Sequence, residues 1–385
     1  MKLAYLDPNP LPEQQTVPLQ ILQNVNAFAQ NGAQVFLFNP EGSLPADEVL
    51  GHPLHSEVQH HTTKNLKKSW WYWSGSNRYF YQAARRWLES INPQAIYVRN
   101  LKLAYYLLHH TSIPIFFEAH EVFCQSFAES HPMTWRNRRK LTRLDQIERA
   151  VYHQCHGIIA ITKTLSEDLR QRYRFSTPIL ISPSGYDDQL IPSKISPLSH
   201  HEKVIILYLG SLHPWKGMEI LLDAAPYIHH QGEIWIAGGS PQDRAAFEAD
   251  IIKRNIREKV KVLGPVPSKN RFDVIAQAHI CVHPLTLTSI GSRYTSPLKI
   301  FEYMAMGKAI VTAQVPALEE ILTHGQTALL VPPQNPEQLA AALNQLIDDA
   351  QFRHQLSHNV HYVALAYTWK KRTQNILRFI QNNLH

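Results

Sequence analysis

The sequence predicts an α/β protein built from two doubly wound domains, and three observations carry that reading. Short apolar runs alternate with segments of helical period along the whole chain, the pattern of parallel strands joined by crossover helices. A chain of 385 residues exceeds one ordinary core, and its 44% of hydrophobic residues can fill two. The alternation breaks once, at Ser182-Pro183-Ser184-Gly185-Tyr186-Asp187-Asp188 and on to Pro197, where Pro, Ser and Asp suit an interdomain linker. The expected organisation is a first domain over 1–185, a second over 186–366, and a terminal helix over 367–385 that crosses back to the first domain.

Each half justifies its elements in turn. Leu3 to Leu6 reads as a buried strand, and Pro8, Pro10 and Pro12 break the chain after it. Leu19, Leu22, Val25, Asn26 and Ala29 recur at helical spacing until Gly32, and Val35 to Phe38 is the next strand. Further strands are expected at Ala95 to Val98, Ile113 to Phe117, Ile158 to Ile161 and Ile179 to Ile181. The second half repeats the plan at Val204 to Leu209, Ile234 to Ala237, Val260 to Leu263, Ile280 to His283, Ile310 to Thr312 and Ala328 to Val331. The last stretch, Tyr367 to Asn383, carries Ile376, Leu377, Phe379 and Ile380 on one side of a helix. Two such domains are expected to face each other across one cleft, lined by strand carboxyl ends and helix N-termini.

Composition narrows the function. An excess of 38 basic over 31 acidic residues gives +7, a surface that favours anionic partners: nucleotides, lipid headgroups or nucleic acid. The three cysteines, Cys124, Cys155 and Cys281, have no CxxC spacing, so neither a disulfide framework nor a zinc site is expected. The chain has no Asp-x-Asp motif and no His pair in ligand context, so no metal is expected. No run could span a bilayer and the amino terminus is too short for a signal peptide, which predicts a cytoplasmic protein, at most attached to a membrane face.

Two segments carry the chemistry of the second half. Gly210-Ser211-Leu212-His213-Pro214-Trp215-Lys216-Gly217 follows its first strand: the glycine lets phosphates approach the backbone, and Lys216 can neutralise a diphosphate. A turn with a solvated lysine is the plainer alternative. In Ser296 to Lys308, Ser296 is expected to cap a helix whose first position is Pro297 and whose end is Gly307. The amides of Leu298 and Lys299 then form an anion site, and Glu302 lies one turn further in, where a carboxylate can accept from a ribose diol.

With Ile236-Ala237-Gly238-Gly239, Gly264-Pro265-Val266 and Glu319-Glu320-Ile321-Leu322 followed by Gly325, these blocks resemble the family 4 glycosyltransferases, which adopt the GT-B fold. In the first half the likeness rests on Tyr97-Val98-Arg99 and Glu118-Ala119-His120-Glu121. The resemblance implies a retaining transfer of a sugar from a nucleotide diphosphate sugar, with no separate cofactor. It assigns catalytic roles to His120, Lys216 and Glu302, with Lys216 on the diphosphate, Glu302 on the ribose and His120 facing the transferred sugar from the opposite domain. Gly210, Ser211, Gly239, Val266, Arg293, Tyr294, Leu298 and Lys299 complete the donor side, with Val266 meeting the base through its backbone. Gln15, Thr16, Arg99 and Glu118 stand on the acceptor side.

Three departures accompany the likeness. Tyr294 stands where the family's E-x7-E pair has its first glutamate, and Ser211 stands where an arginine often precedes the lysine. Gln14 to Pro18 replaces a Gly-Gly turn. Lys64, Lys67 and Lys68 before Trp70-Trp71-Tyr72-Trp73 suit peripheral contact with an anionic membrane and hence a lipid-linked acceptor, although aromatics packed on the first domain are as good a reading. Arg136, Arg138, Arg139, Lys140 and Arg143 read as a solvated helix face. A sugar-nucleotide epimerase or hydrolase of the same fold and a basic nucleic-acid-binding protein are the rivals; the cleft motifs suggest no nucleic acid.

Overall fold

The computed structural model describes residues 1–13, 16–65, 77–192, 203–212 and 216–384, with only the backbone of 241–243. Gln15, Lys67, Lys68 and Trp70 to Trp73 lie outside the described residues, as does His213 to Trp215. The chain divides into two compact units, Met1–Pro183 with Trp369–His385, and Ser184–Thr368.

The first unit is a parallel sheet of β1 (Lys2–Leu6), β2 (Gln34–Pro40), β3 (Val58–Thr63), β4 (Ala95–Val98), β5 (Ile115–Ala119), β6 (Gly157–Ala160) and β7 (Ile179–Ile181). Their order is β3-β2-β1-β4-β5-β6-β7, so the winding reverses between β1 and β4. β4, β5 and β6 are buried along their length and β1 from Leu3 to Leu6, as a parallel sheet with both faces covered requires. The edge strand β3 (VQHHTT) has no apolar run, which is why the sequence hides it. Leu3, Tyr5, Val35 and Leu37 on one face pack against Ile21, Val25 and Phe28 of the helix Thr16–Gln30. The helix Trp369–Asn382 adds Ile376, Leu377 and Ile380 to this same core.

The second unit contains β8 (Val204–Leu209), β9 (Gly232–Ala237), β10 (Val260–Gly264), β11 (Ile280–His283), β12 (Ala309–Ala313) and β13 (Leu329–Val331). They are ordered β10-β9-β8-β11-β12-β13, all parallel, with the reversal between β8 and β11. Successive residues alternate between two cores: Leu207 and Cys281 face Phe301 and Met304, while Ile206 and Val282 face Leu221 and Leu343. The three cysteines are buried and form no disulfide. Among the described residues, no helix is long and apolar enough to cross a membrane. Arg136, Arg138, Arg139, Lys140 and Arg143 all lie exposed on the helix Trp135–Gln154.

Candidate donor and catalytic sites

In doubly wound sheets, ligands bind past the carboxyl ends of the strands, where the winding reverses. In the second unit that point is built by a splay. Between β8 and β11 the ladder joins only Ile206 with Ile280 and Leu207 with Cys281, although the strands run on to Leu209 and His283. The Leu209 N–H instead donates to the Tyr303 hydroxyl at 2.9 Å. Just beyond, the backbone is compressed. A Cβ on Gly238 would sit 2.0 Å from the Gly210 carbonyl oxygen, and one on Gly217 would sit 1.5 Å from that of Pro284. Both glycines also have positive φ, at +129° and +73°, so no other residue fits there without moving the strand ends.

Into this gap the helix Leu298–Ala305 delivers Lys299. The Lys299 Nζ lies 3.9 Å over the Tyr208 ring, finds no hydrogen-bond acceptor, and sits where a Gly210 Cβ would come within 2.7 Å of it. Burial and then the charge of Lys216 hold the Lys299 amine well below its ordinary range. Burial brings Lys216 itself down to about 8. His283, at the end of β11, is wholly buried with neither ring nitrogen bonded, and burial, Lys299 and Lys216 all disfavour its charged form. Glu302, 4% exposed, is the carboxylate that opposes these cations. It is shared: Arg271 Nε lies 2.7 Å from Glu302 Oε1, close enough for an ion pair but off the hydrogen-bonding axis. Neighbouring cations, with a donor and an ammonium lacking acceptors, give this strand end the electrostatics of an anion site.

Local geometry corrects one expectation. The helix starts at Leu298 with Pro297 as its N-cap residue, so Ser296 lies one position too early to cap it. The Ser296 hydroxyl instead accepts from the Ser184 N–H at 2.8 Å. No side chain caps the helix, which leaves the Leu298 and Lys299 amides at its positive end. The other expected donor residues scatter around this centre. Gly239 turns with φ +80°, and the Ser211 carbonyl accepts from Tyr208 Oη. Val266 is half-buried against the core, Tyr294 is buried, and Arg293 is partly exposed after the helix Ser289–Ser292.

The first unit's reversal point has the opposite character. Its centre is a carboxylate, Glu118, at 2% exposure near the end of β5. Tyr97 donates its hydroxyl to Glu118 Oε2, His120 Nε2 is 2.7 Å from Oε1, and Arg372 Nη2 is 3.2 Å from the same oxygen. Burial alone would raise this carboxyl, but Arg372 and the His120 hydrogen bond outweigh it, and Glu118 stays ionised. A carboxylate only accepts, so His120 carries its proton on Nε2 and presents Nδ1 as an acceptor. Burial first, then Arg99, lowers His120 to about 4, so the ring is neutral at physiological pH. Arg372 comes from the chain's last helix, where it also donates to Pro183 O at 2.9 Å and to Asn24 Oδ1. Glu118 was expected on the acceptor side, and its oxygens are already engaged within this network. Arg99 donates to Gln20 at 3.1 Å, and Thr16 is exposed as the first residue of its helix. Asp7, after β1, is buried with Oδ2 unbonded, and burial raises it to about 6 despite Arg99.

Sequence reasoning missed Tyr208, Arg271, His283, Asp7 and Arg372. His283 and Asp7 close apolar strands, a position the strand pattern marks but a lone polar residue does not announce. Arg372 and Arg271 act through tertiary contacts with carboxylates far along the chain, which no local pattern contains. Among the described residues, no group of histidines, cysteines or carboxylates could hold a metal ion.

Two parallel doubly wound units are the architecture of the GT-B glycosyltransferases. Residues 203–349 match the model for glycosyl transferases group 1, and residues 19–190 match that for glycosyltransferase family 4. The chain is thus a glycosyltransferase of the group 1, family 4 type. It is 21% identical over 251 residues to an alpha-D-kanosaminyltransferase of Streptomyces kanamyceticus, a match covering 62% of this chain and 63% of that protein. The chain therefore aligns with somewhat under two thirds of that relative's length. Sucrose-phosphate synthase from Thermosynechococcus elongatus shares the fold with a TM-score of 0.78 at 18% identity, over 99% of this chain and 98% of that one. The Anabaena protein HepE, solved in complex with UDP-glucose, has a TM-score of 0.75 at 19% identity, over 99% of this chain and 100% of its own.

Proposed function

We propose that the protein transfers a sugar from a nucleoside diphosphate sugar to an acceptor with retention of anomeric configuration. The observation that carries this reading is the cluster of Lys216, Lys299 and His283 at the reversal point of the second sheet, beside uncapped helix amides. Departure of a nucleoside diphosphate develops negative charge on its terminal phosphate. Lys216 and the Leu298 and Lys299 amides stabilise that charge by fixed, preorganised electrostatics. Glu302 keeps lone pairs beyond its contact with Arg271, enough to accept from a ribose diol. Val266 meets the base through its backbone. Arg293 and Tyr294 complete the donor side.

Retention in a single displacement means attack on the face from which the phosphate departs. The departing phosphate then takes the acceptor's proton, so no side-chain base is needed. His120, neutral and oriented by Glu118, offers Nδ1 to a hydroxyl of the transferred sugar. Arg99 and Thr16 receive the acceptor. The Lys64 to Trp73 segment and the net charge of +7 favour an acceptor carried on an anionic membrane.

The test is a screen of UDP, GDP and ADP sugars for nucleotide release with and without acceptors, UDP-glucose first because HepE binds it. Acceptor-dependent release supports transfer. Release independent of acceptor supports the hydrolase alternative, and no release from any donor overturns the assignment. Proton NMR of product from an α-linked donor should show an α linkage; a β linkage would overturn retention.

A further inference from the structure

A histidine buried to the last atom with both ring nitrogens unbonded needs an explanation, since at least one of them carries a hydrogen in every protonation state. His283 closes β11 where the ladder to β8 has already opened. Its backbone is fixed: the Thr312 hydroxyl donates to the His283 carbonyl at 2.7 Å, and β12 pairs with it at Thr312. Its ring stands 6.4 Å from that of Tyr208, over which the Lys299 ammonium is held. Among the described residues, the groups around Lys299 come from several elements: Tyr208 on β8, Lys216 after it, His283 on β11, and Glu302 one turn along its own helix. The carboxylate among them is occupied by Arg271.

Resting on the nucleotide-site reading above, we propose that His283 is a ligand of the terminal phosphate of the bound nucleoside diphosphate, donating a ring N–H while Lys299 supplies charge from the adjacent helix. The two side chains lie deeper than Lys216, and Lys299 reaches the space that Gly210 keeps open. His283 serves as a neutral donor, because burial first and then both lysines oppose its charging.

The experiment is calorimetric titration of wild type, His283→Leu, His283→Gln and Lys299→Met with UDP, GDP and ADP and with the matching nucleosides. The nucleotide that binds wild type best is carried forward, and thermal melts check that each variant is folded. His283→Leu is expected to weaken the diphosphate about tenfold or more and leave the nucleoside unchanged, with part of the loss restored by the amide donor in His283→Gln. Equal diphosphate affinity in wild type and His283→Leu, or an equal loss for nucleoside and diphosphate, would overturn the role of His283. Lys299→Met is expected to weaken the diphosphate about tenfold or more and leave the nucleoside unchanged. Equal diphosphate affinity in wild type and Lys299→Met would overturn the role of Lys299. If wild type binds none of the three diphosphates, the nucleotide-site reading itself fails, and this inference with it.

Discussion

The two units share a topology and differ in what they place at the same point of it. Where the first sheet reverses, a buried carboxylate is surrounded by donors: Tyr97, His120 and Arg372 converge on Glu118. Where the second reverses, buried cations crowd a space in which Lys299 and His283 find no acceptor. The first site is internally satisfied, which suits a device that holds one side chain in one tautomer and orientation. The second is internally frustrated, which suits a device completed by an anionic ligand. Strand order determines where a site forms, and the balance of charge there determines whether it binds or positions.

That contrast predicts that removing a cation does opposite things in the two units. The largest effect is expected for Arg372→Met, which leaves the Glu118 charge buried without its main partner and should cost about 3–5 kcal/mol of stability by urea denaturation. Adding Glu118→Gln to it should recover much of that loss. If Arg372→Met unfolds like wild type, the first site is not a stabilising network.

Asp7 is the first unit's exception, a buried carboxyl with one oxygen unbonded. With its value raised from 3.8 to about 6, keeping it ionised at pH 7 costs the fold roughly 3 kcal/mol. The folded state binds the extra proton between those values, so this cost is full above pH 6 and fades as pH falls toward 3.8. Asp7→Asn should therefore melt higher than wild type at pH 7, with the difference shrinking toward pH 4. His120, lowered to about 4, works in the other direction over the same range, so the variant must be compared with wild type at each pH.

Lys216→Ala is the counterpart in the second unit. It should weaken nucleoside diphosphate binding by about 1.5–3 kcal/mol and leave stability unchanged or raised, since a desolvated amine is removed. Wild-type affinity should fall as pH rises through about 8, where Lys216 loses its proton. A loss of stability comparable to that of Arg372→Met would erase the contrast between the units. The smallest effect belongs to Ser296→Ala, which removes the acceptor for the Ser184 N–H and should cost about 1 kcal/mol in urea, with nucleotide affinity kept.

The architecture was legible because parallel strands buried on both faces leave continuous apolar runs, as at Val204 to Leu209. Only β3 escaped, since an edge strand can alternate polar residues toward solvent. Gly210, Gly217 and the helix at Leu298 were legible because each is demanded by backbone geometry near one stretch of chain. Ser296 was misread as a cap because its distance from the helix depends on where the backbone turns, and that is set by a contact with Ser184. Arg271 and Arg372 were invisible for the same reason: their carboxylate partners, Glu302 and Glu118, are neighbours in space alone.

Amide hydrogen exchange tests the central claim most directly, with the best-binding of UDP, GDP and ADP added to the wild-type protein. If the second unit's reversal point is the anion site, the largest slowing should fall at Gly210, at Lys216 and Gly217, and at Leu298 through Glu302. Slowing that is absent from those positions, or largest at Asp7, Arg99 and Glu118 to His120, would contradict the account.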